Sequence, residues 1–324
     1  MTANRIRQLT ICVLAAVFTC AVQAQDAYPE KPVRLIVGFP PGSQADTVAR
    51  LLSQKLGEAI GKPVTVDNAT GAAGNIAADR LAKSPADGYT LGVLGEVQVV
   101  VNPYLYKLAF DPASAFAPIA EVAAYPNLLV VGQGMPATHL RDIVAMAKAR
   151  PGELTFASGG SGSSPHMAAE LFKSTAGLDI RHIPYKGVVL AVPDVLSGRV
   201  TMMFSPIGIA LPSVKAGKLK ALAVTSPKRS AVLPEVPTVA ESGYPGYEYT
   251  GWYGLFAPAG TPGAIIRRLH AQTTAALQDR DVRTKLVDLG MEPTGTSPEQ
   301  FASAIRTSLP KQAKLIAESG MKPD

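Results

Sequence analysis

The sequence predicts an α/β protein with two domains, and three observations support this fold class. The chain has 324 residues, and this length is more typical of two domains than of one. From Val33 onward, short apolar runs alternate with longer segments of helical periodicity, as in layered α/β folds. Both halves of the chain repeat one plan, in which a strand leads through a turn of small residues into a helix.

The first half begins with a buried strand at residues 33–37, whose side chains are mostly aliphatic. An amphipathic helix is predicted at 43–60, because its apolar residues recur at helical spacing on one face. Further strands follow at 64–66 and 89–94, with a helix at 75–83 between them. The apolar face of the first helix consists of Val48, Leu51, Leu52, Leu56, Ala59 and Ile60.

The second half continues the same alternation, and the chain then returns through residues 247–256, which we expect to cross back between the domains. Two or three helices follow Pro262. Strands are predicted at 128–131, 154–157, 180–184, 200–204 and 219–224, and helices at 140–149 and 165–176. We therefore divide the chain into a leader (1–24), the first part of lobe 1 (25–124), lobe 2 (125–245) and a return segment that belongs mainly to lobe 1 (246–324).

The first residues have the pattern of a secretory signal peptide. Arg5 and Arg7 precede an uncharged stretch, which ends in the small-x-small exit Val22-Gln23-Ala24. The apolar stretch is shorter than the roughly 20 residues that span a membrane. The pattern predicts export to the periplasm with cleavage near Ala24.

Both cysteines, Cys12 and Cys20, belong to this leader, so the mature chain is predicted to contain no disulfide and no thiolate site. The leader also contains two of the 31 basic residues and no acid, which leaves 29 basic and 25 acidic residues and a net charge of +4. These charges are scattered along the chain. Nucleic-acid binding is not expected, because it usually requires a basic patch or stripe.

The first turn, residues 38–46, leads from a strand directly into the helix that follows. Ser43 is a candidate N-cap, and Asp46 lies in the first helical turn, where a carboxylate suits the helix dipole. The amides at a helix N-terminus have no partners within the helix and favour an anion. The turn is therefore either an anion site or only a well-capped helix.

The second turn, residues 158–166, is built in the same way, and we expect Ser164 to cap its helix with Pro165 as the first helical residue. Its three glycines and four serines are more than capping alone requires. Ligands of open α/β sheets bind outside the carboxyl ends of the strands. The two turns, one in each half, could therefore face each other and clamp a carboxylate.

Several other chemistries do not fit the sequence. The second turn lacks the last glycine of the dinucleotide motif, and no phosphate-binding loop of the G-x-x-x-x-G-K-[ST] type occurs. A catalytic pair of Ser164 with His166 is disfavoured, because residues two apart on a helix do not face each other and no acid is visibly placed to orient the ring. The four histidines show no metal-ligand spacing, so we expect neither a metal nor a cofactor.

Motifs along the whole mature chain resemble the Bug family, the substrate-binding receptors of tripartite tricarboxylate transporters. The resemblance begins with Tyr28-Pro29-x-Lys31-Pro32-x-Arg34-Leu35-Ile36-Val37 and with the Phe39-Pro40-Pro41-Gly42 turn, which is followed by Asp46 and Ala49-Arg50. It continues in order through Phe172-Lys173 to the segment at 252–262. The other matching motifs are Gly71-Ala72-x-Gly74-Asn75-Ile76, Asp87-Gly88-Tyr89-Thr90, Asn102-Pro103, His182-Ile183-Pro184-Tyr185-Lys186-Gly187, Ala216-Gly217-Lys218-Leu219, Val236-Pro237-Thr238, Trp252-Tyr253-Gly254-Leu255 and Ala257-Pro258-Ala259-Gly260-Thr261-Pro262.

The resemblance implies a type II periplasmic-binding fold, in which two α/β lobes close on a ligand. It also implies a monomeric, non-enzymatic receptor that takes a di- or tricarboxylate, an acidic amino acid or an aromatic acid to integral-membrane permease subunits. The ligand-binding residues that it implies are Phe39, Pro40, Pro41, Gly42 and Ser43 in the first turn and Ser158, Gly159, Ser161, Gly162 and Ser163 in the second, with Tyr185, Lys186 and Gly187 at the cleft. Lys186 could equally be a solvated surface lysine. We add Asp46, Asn75, Glu96, His166 and Ser205 as further candidate ligand-binding residues.

Three positions depart from the family pattern. The first turn reads Ser43-Gln44-Ala45 before its aspartate, Ser205 replaces a common aspartate, and Glu96 stands where small or hydroxyl residues are usual. Either Glu96 lines the cleft, in which case the ligand carries a donor or a cation opposite its carboxylate, or Glu96 points to solvent.

Other functions predict other features. An exported serine hydrolase would need a Ser/His/acid arrangement, and a receptor that signals to a sensor protein would look the same as a transport receptor in this single chain. The effector domain of a DNA-binding regulator would carry an N-terminal helix-turn-helix and no signal peptide, which disagrees with this sequence on both counts.

Overall fold

The structure is a computed structural model that describes residues 28–323. The predicted leader and its cleavage near Ala24 therefore lie outside the described residues. The described part of the chain contains no helix that is long and apolar enough to span a membrane.

The described residues form ten strands and nine helices of more than one turn, which confirms the predicted α/β class. The strands are β1 (Val33–Val37), β2 (Val64–Asn68), β3 (Thr90–Gly95), β4 (Phe116–Gly132), β5 (Thr155–Ser158), β6 (Arg181–Pro184), β7 (Met202–Pro206), β8 (Leu219–Val224), β9 (Thr250–Pro258) and β10 (Glu292–Pro293). The helices are α1 (Gln44–Ile60), α2 (Asn75–Ala82), α3 (Leu140–Ala149), α4 (Ser164–Ala176), α5 (Val188–Leu196), α6 (Ile207–Lys215), α7 (Gly263–Gln278), α8 (Arg280–Asp288) and α9 (Pro298–Ser319).

Strand β4 connects two groups of strands, which we call the lobe 1 sheet and the lobe 2 sheet. Residues 116–126 of β4 pair antiparallel with β9, and the lobe 1 sheet continues through β3 and β1 to β2. From Asn127 onward β4 pairs with β7 and β8, and the lobe 2 sheet continues through β5 to β6. The partner change between Pro126 and Asn127 makes this strand a direct covalent connection between the lobes.

The two sheets repeat the same arrangement around their parallel strands. In the lobe 1 sheet β1 is parallel to both β2 and β3, and in the lobe 2 sheet β5 is parallel to both β6 and β7. The carboxyl ends of parallel neighbours lie at the same edge of a sheet. Each lobe therefore has one edge at which three strands lead into turns and helices.

The helices cover these sheets because their apolar faces are buried. Helix α1 buries Val48, Leu52 and Leu56 against the lobe 1 sheet, and it begins at the N-cap Ser43. It ends at Gly61, whose positive φ of 67° is the left-handed conformation that glycine adopts at little cost. The helix therefore begins at a serine N-cap and ends at a left-handed glycine.

The structure differs from the sequence predictions at several elements. The prediction that Ser164 caps the second helix was wrong by one residue: Ser163 is the N-cap and Ser164 is the first helical residue. The first eleven residues of β4 and the helices α5 and α6 were not predicted from the sequence. These two helices are rich in valine, isoleucine and leucine and include an internal proline, so their composition does not favour a helix.

A close contact between β9 and α9 gives a test of the packing in lobe 1. A Cβ atom on Gly254 would overlap the ring of Phe301, which is fully buried, and the ring of Phe256. We expect Gly254→Ala to lower the free energy of unfolding by about 1–3 kcal/mol, because the extra methyl group overpacks a filled core. Urea denaturation measures this difference.

Gly134→Ala is the matched control, because a Cβ atom there would meet no other atom within 4 Å. An unchanged stability in Gly254→Ala would show that the β9–α9 packing is looser than described.

Candidate functional site

The first turn lies at the carboxyl end of β1 and is stabilised by its own side chains. Ser43 is the N-cap of α1, and its hydroxyl accepts a hydrogen bond from the amide of Asp46 at 3.2 Å. Phe39 is half-buried, whereas Pro40 and Pro41 are exposed. The turn therefore presents its prolines at the surface, while the first amides of α1, those of Gln44 and Ala45, have no acceptor within the helix.

Asp46 is buried, and its carboxylate forms hydrogen bonds that stabilise the turn. Its carboxylate accepts hydrogen bonds from the amide of Gly42 at 2.9 Å, from Arg50 Nε at 2.8 Å and from Asn68 Nδ2 at 2.9 Å. The same Asn68 amide also donates to Phe39 O at 2.9 Å. Burial raises the pKa of Asp46, but the hydrogen bonds from Arg50, Gly42 and Asn68 outweigh it and the net shift is downward. An ionised Asp46 therefore determines the shape of the first turn.

The second turn lies at the carboxyl end of β5 and is also stabilised from within. The Ser158 hydroxyl accepts from the amide of Gly160 at 3.1 Å, and the Ser163 hydroxyl donates to Gly160 O at 2.7 Å. Gly160 and Gly162 have φ values of 108° and 75°, which favour glycine. Ser161 is half-buried between them.

Two stacked histidines lie beneath this turn. The rings of His166 and His182 are 3.8 Å apart between centroids, and the amide of Gly162 donates to His166 Nδ1 at 3.1 Å. The carboxylate of Glu170 lies 3.7 Å from His166 Nε2. The expectation that no acid is placed near the His166 ring was therefore wrong, because Glu170 follows one helical turn later and is itself buried.

A serine and a histidine side chain do form a hydrogen bond, but they are Ser158 and His182. The pair considered from the sequence was Ser164 with His166. Ser158 Oγ lies 2.6 Å from His182 Nε2. Ser158 is fully buried, and the same oxygen bonds both the amide and the carbonyl of Gly160. This geometry suits a hydroxyl that fixes a turn better than a nucleophile that must reach a substrate.

The loop after β6 adjoins the second turn. A Cβ atom on Gly159 would lie 2.9 Å from Val188, and the amide of Tyr185 donates to Ser158 O at 3.2 Å. The Tyr185 hydroxyl donates to Asp194 at 2.5 Å. Lys186 is exposed, and Gly187 precedes α5 with open space where a Cβ atom would stand.

Asn75 and Ser205 occupy equivalent edges of the two lobes. Asn75 is the first residue of α2 and accepts from Asn102 Nδ2 at 2.6 Å. Ser205 lies in β7, is fully buried, and donates to Pro206 O at 3.2 Å. Both side chains are therefore engaged within the protein.

Glu96 follows β3 and is only 2% exposed, so the alternative in which it points to solvent was wrong. Its carboxylate accepts from the Tyr125 hydroxyl at 3.3 Å and from the amide of Trp252 at 3.2 Å. Burial raises the pKa of Glu96 to about 7, although these hydrogen bonds act in the opposite direction.

Two close contacts join the lobes near these residues. Gly162 in the second turn packs so closely on Leu105 and Val101, which follow β3, that a Cβ atom would not fit. On the other side, Gly208 at the start of α6 packs in the same way on Gln44 at the start of α1. These two contacts join the lobes close to the second turn and close to the start of α1.

The chemistry available at these edges is hydrogen bonding to an anion. Helix amides, glycine backbone and hydroxyl groups predominate there. Among residues 28–323, no group of three or more histidine, cysteine, aspartate or glutamate side chains is arranged to hold a metal ion.

Several residues important to the site were not assigned a role from the sequence. The Asp46–Arg50 pair could have been recognised from its i,i+4 spacing, and so could His166 with Glu170. Asn68, His182 and Tyr125 come from other elements, and no local spacing connects them with the turns.

The Asp46 network predicts a stability effect. We expect Asp46→Ala to lower the free energy of unfolding by about 1–3 kcal/mol, because the partly buried donors of Gly42 and Asn68 lose their acceptor. The folded-state pKa of Asp46 is depressed, so its stabilisation is present at neutral pH and is lost as the pH falls below about 4.

Urea denaturation at neutral and acidic pH measures both effects. Glu318→Ala serves as the control, because its ion pair with Lys314 is exposed on both sides and should contribute nothing measurable. An Asp46→Ala protein as stable as wild type at pH 7 would contradict the assigned role.

Comparisons with known proteins agree with the fold and with the sequence motifs. The family model of the tripartite tricarboxylate transporter family receptor matches residues 48–321. Protein BugT of Bordetella pertussis is 35% identical, with 99% of each chain covered. An R. palustris protein solved with adipate has a TM-score of 0.83 at 36% identity and covers 92% of this chain and 100% of its own. MatC from Rhodopseudomonas palustris, solved with bound malate, has a TM-score of 0.79 at 32% identity, with 89% and 100% covered.

These matches extend over most of the chain and confirm the resemblance to the Bug family and its two-lobed fold. The chain therefore belongs to the tripartite tricarboxylate transporter receptors, the family of periplasmic solute-binding proteins that includes the Bug proteins.

Proposed function

We propose that this receptor binds a small organic carboxylate between its lobes, leaves it chemically unchanged and delivers it to the membrane permease subunits of a tripartite tricarboxylate-type transporter. The observation that supports this most directly is the pair of helix N-termini, those of α1 and α4, each of which follows the carboxyl end of a parallel strand and lies near a close contact between the lobes. Each helix end favours an anion by roughly 0.3–1 kcal/mol when exposed and by up to about 2 kcal/mol when partly buried.

The two turns would bind the carboxylate mainly through backbone groups. Asp46 and His166 already bond the amides of Gly42 and Gly162, so these two amides fix the shape of the turns. The amides of Gln44 and Ala45 in α1 and of Ser164 and His166 in α4 are first-turn donors without intrahelical acceptors, and they would contact the ligand directly or through water. Because these donors are preorganised, binding orders little of the protein.

Side chains around the turns would select among carboxylates. We assign this role to Phe39, Pro40 and Ser43 in lobe 1 and to Ser161 and Lys186 in lobe 2. Two related receptors were solved with the dicarboxylates adipate and malate. Di- and tricarboxylates are therefore our first candidates, before acidic amino acids and aromatic acids.

An alternative function as a serine hydrolase would have to use Ser158 and His182, the hydroxyl–imidazole pair at 2.6 Å. We favour a receptor without enzymatic activity, because Ser158 is fully buried and its oxygen is already bonded within the turn. Transfer to a sensor protein instead of a permease would use the same ligand site.

We further propose that the protein is exported as a monomer, and that cleavage near Ala24 leaves a mature chain that begins close to Gln25. The intact mass of the protein recovered from the periplasm would reveal the cleavage site. A mass that includes the first 24 residues would contradict this proposal.

A thermal-shift screen tests the receptor function. We expect at least one acid among adipate, malate, succinate, citrate, glutamate and benzoate to raise the melting temperature and to be recovered unchanged. A ligand at a hundredfold excess over its dissociation constant adds about 2.7 kcal/mol of stability. No shift with any of these acids would contradict a simple carboxylate receptor, and a consumed acid or ester would indicate an enzyme.

A pair of variants at Gly42 tests the location of the site. A Cβ atom there would meet no other atom within 4 Å, and the φ of 81° suits asparagine and aspartate. Gly42→Asp adds a negative charge beside the expected carboxylate, whereas Gly42→Asn adds the same shape without the charge. We expect the aspartate variant to bind the dicarboxylate at least about tenfold more weakly than the asparagine variant, as measured by calorimetry.

Gly134→Asp adds the same charge at another open position and should leave the affinity unchanged. Equal affinities of Gly42→Asp and Gly42→Asn would place the carboxylate elsewhere.

A further inference from the structure

We propose that Gly208, near the start of α6, is a positioning residue that determines how closely the two lobes approach each other, and that they reach the ligand-binding arrangement because this position carries no side chain. Gly208 belongs to lobe 2, and it contacts the start of α1 and the turn after α8, both in lobe 1. The limit on lobe approach is independent of any ligand. Only the effect on affinity rests on the proposed receptor function.

The contact around Gly208 leaves no room for a methyl group. A Cβ atom there would overlap the carbonyl oxygen of Leu289, and it would lie 2.7 Å from Nε2 of Gln44. Non-bonded heavy atoms are most stable at about 3.5–4.0 Å and repel each other at such short distances. If the glycine is replaced, at least one of the three segments must therefore move.

The backbone at this position does not itself require a glycine. The φ of Gly208 lies outside the left-handed region, in which Gly162 and Gly290 lie with φ values of 75° and 70°. Glycine is also one of the poorest helix formers, so alanine would suit α6 better. The close contact with lobe 1 is therefore the feature of the structure that accounts for a glycine at residue 208.

The carbonyl group of Leu289 cannot give way easily, because it belongs to a hydrogen-bonded turn. The amide of Gly290 donates to Val287 O at 2.8 Å. The amide of Met291 donates to Leu286 O at 2.9 Å. Backbone that is bonded on both sides of Leu289 presents a fixed surface to the start of α6.

The side chain of Gln44 is the part of the contact that can move. Among residues 28–323 its buried Nε2 has no hydrogen-bond partner, so no bond holds it beside Gly208. A long side chain can also change its rotamer at small cost. A methyl group on residue 208 would therefore displace Gln44, but it would still meet the carbonyl of Leu289. The overlap is then relieved only if the lobes separate.

The contact lies beside the point at which the lobes are connected. Strand β4 changes its partner strands at Asn127, and Pro206, two residues before Gly208, pairs with Asn127. On the lobe 1 side, β10 follows the turn at Leu289 and pairs with β4 three residues before Asn127. A spacer close to a pivot causes a larger displacement farther from the pivot. One methyl group would therefore separate more distant parts of the lobes by more than its own size.

The same contact is coupled to the proposed ligand site. Gln44 is the first residue of α1, and its backbone amide is one of the donors that we assign to the ligand carboxylate. The other close contact, between Gly162 and Leu105, joins the second turn to lobe 1. A separation of the lobes at Gly208 would move these two groups of donors apart, so that one carboxylate no longer contacts both.

The first experiment measures the lobes directly with spin labels. The labels are attached at Arg80→Cys in α2 and at Ser197→Cys after α5, which are exposed positions on opposite lobes. The chain's own cysteines are removed by Cys12→Ser and Cys20→Ser. We expect the label separation of the described arrangement to be populated in the wild-type background and to be lost with Gly208→Ala.

Two outcomes of this measurement would overturn the proposal. If the wild type and Gly208→Ala show the same distance distribution, the side chain at residue 208 does not limit the approach of the lobes. If the wild type does not populate the separation of the described arrangement, with or without adipate, the contact at Gly208 does not form. Gly134→Ala is the matched control and should leave the distribution unchanged, because a Cβ atom there would meet no other atom within 4 Å.

The second experiment distinguishes a contact between movable lobes from a glycine in a fixed core. We expect Gly208→Ala to leave the midpoint of urea denaturation close to that of the wild type, because the lobes can separate and alanine favours the helix. Gly254→Ala provides the contrast, since its overlap with Phe301 lies within lobe 1 and cannot be relieved in this way. A large loss of stability in Gly208→Ala, or a failure to fold, would assign Gly208 to a fixed core and would overturn the proposal.

The third experiment uses adipate as the probe of affinity. We expect the dissociation constant of adipate to increase by about tenfold or more with Gly208→Ala and to stay unchanged with Gly134→Ala, as measured by calorimetry. Equal affinities of Gly208→Ala and the wild type would overturn the link between this contact and ligand binding. If adipate binds neither protein, the receptor proposal is weakened, whereas the distance and stability measurements still decide the role of Gly208.

Discussion

The arrangement of the molecule depends on one constraint, the continuous backbone pairing of strand β4 with both sheets. Its first eleven residues bond β9, and its last six bond β7 and β8. A strand that belongs to two sheets keeps the sheets adjacent and allows them to rotate only where its partners change. The packing of Gly162 on Leu105, which joins the two lobes, is consistent with this connection.

The two turns are ordered in the same way, but by different side chains. A loop rich in glycine and proline must have one shape if it is to bind a small anion, and ordering it costs conformational entropy. Asp46 orders the first turn by bonding Gly42, and His166 orders the second by bonding Gly162. In both turns a side chain from the following helix bonds a glycine amide, which leaves the first amides of that helix for a ligand.

Glu96 differs from Asp46, because its surroundings raise the pKa of its carboxyl group instead of lowering it. A buried carboxyl group without a cationic partner is costly to ionise, and the bonds from Tyr125 and Trp252 compensate for this only in part, because its pKa remains raised. A glutamine or a serine would fit such a position at lower cost.

The sequence alone determined the local elements and the family. Periodicity placed β1 and α1 within a residue of their observed bounds, because an apolar strand and an amphipathic helix depend on neighbouring residues. The motif order identified the family, and the turn composition indicated an anion at two helix N-termini.

Only the tertiary structure decided the contacts between distant segments. The pairing of Ser158 with His182, the bonds from Asn68 to the first turn and the burial of Glu96 join residues from different elements, and no spacing in the chain encodes them. The first half of β4 was missed for the same reason, since its prolines and alanines adopt a strand through pairing with β9. A local pattern reports the preferences of a segment, whereas side-chain direction and burial at a cleft depend on how the sheets are brought together.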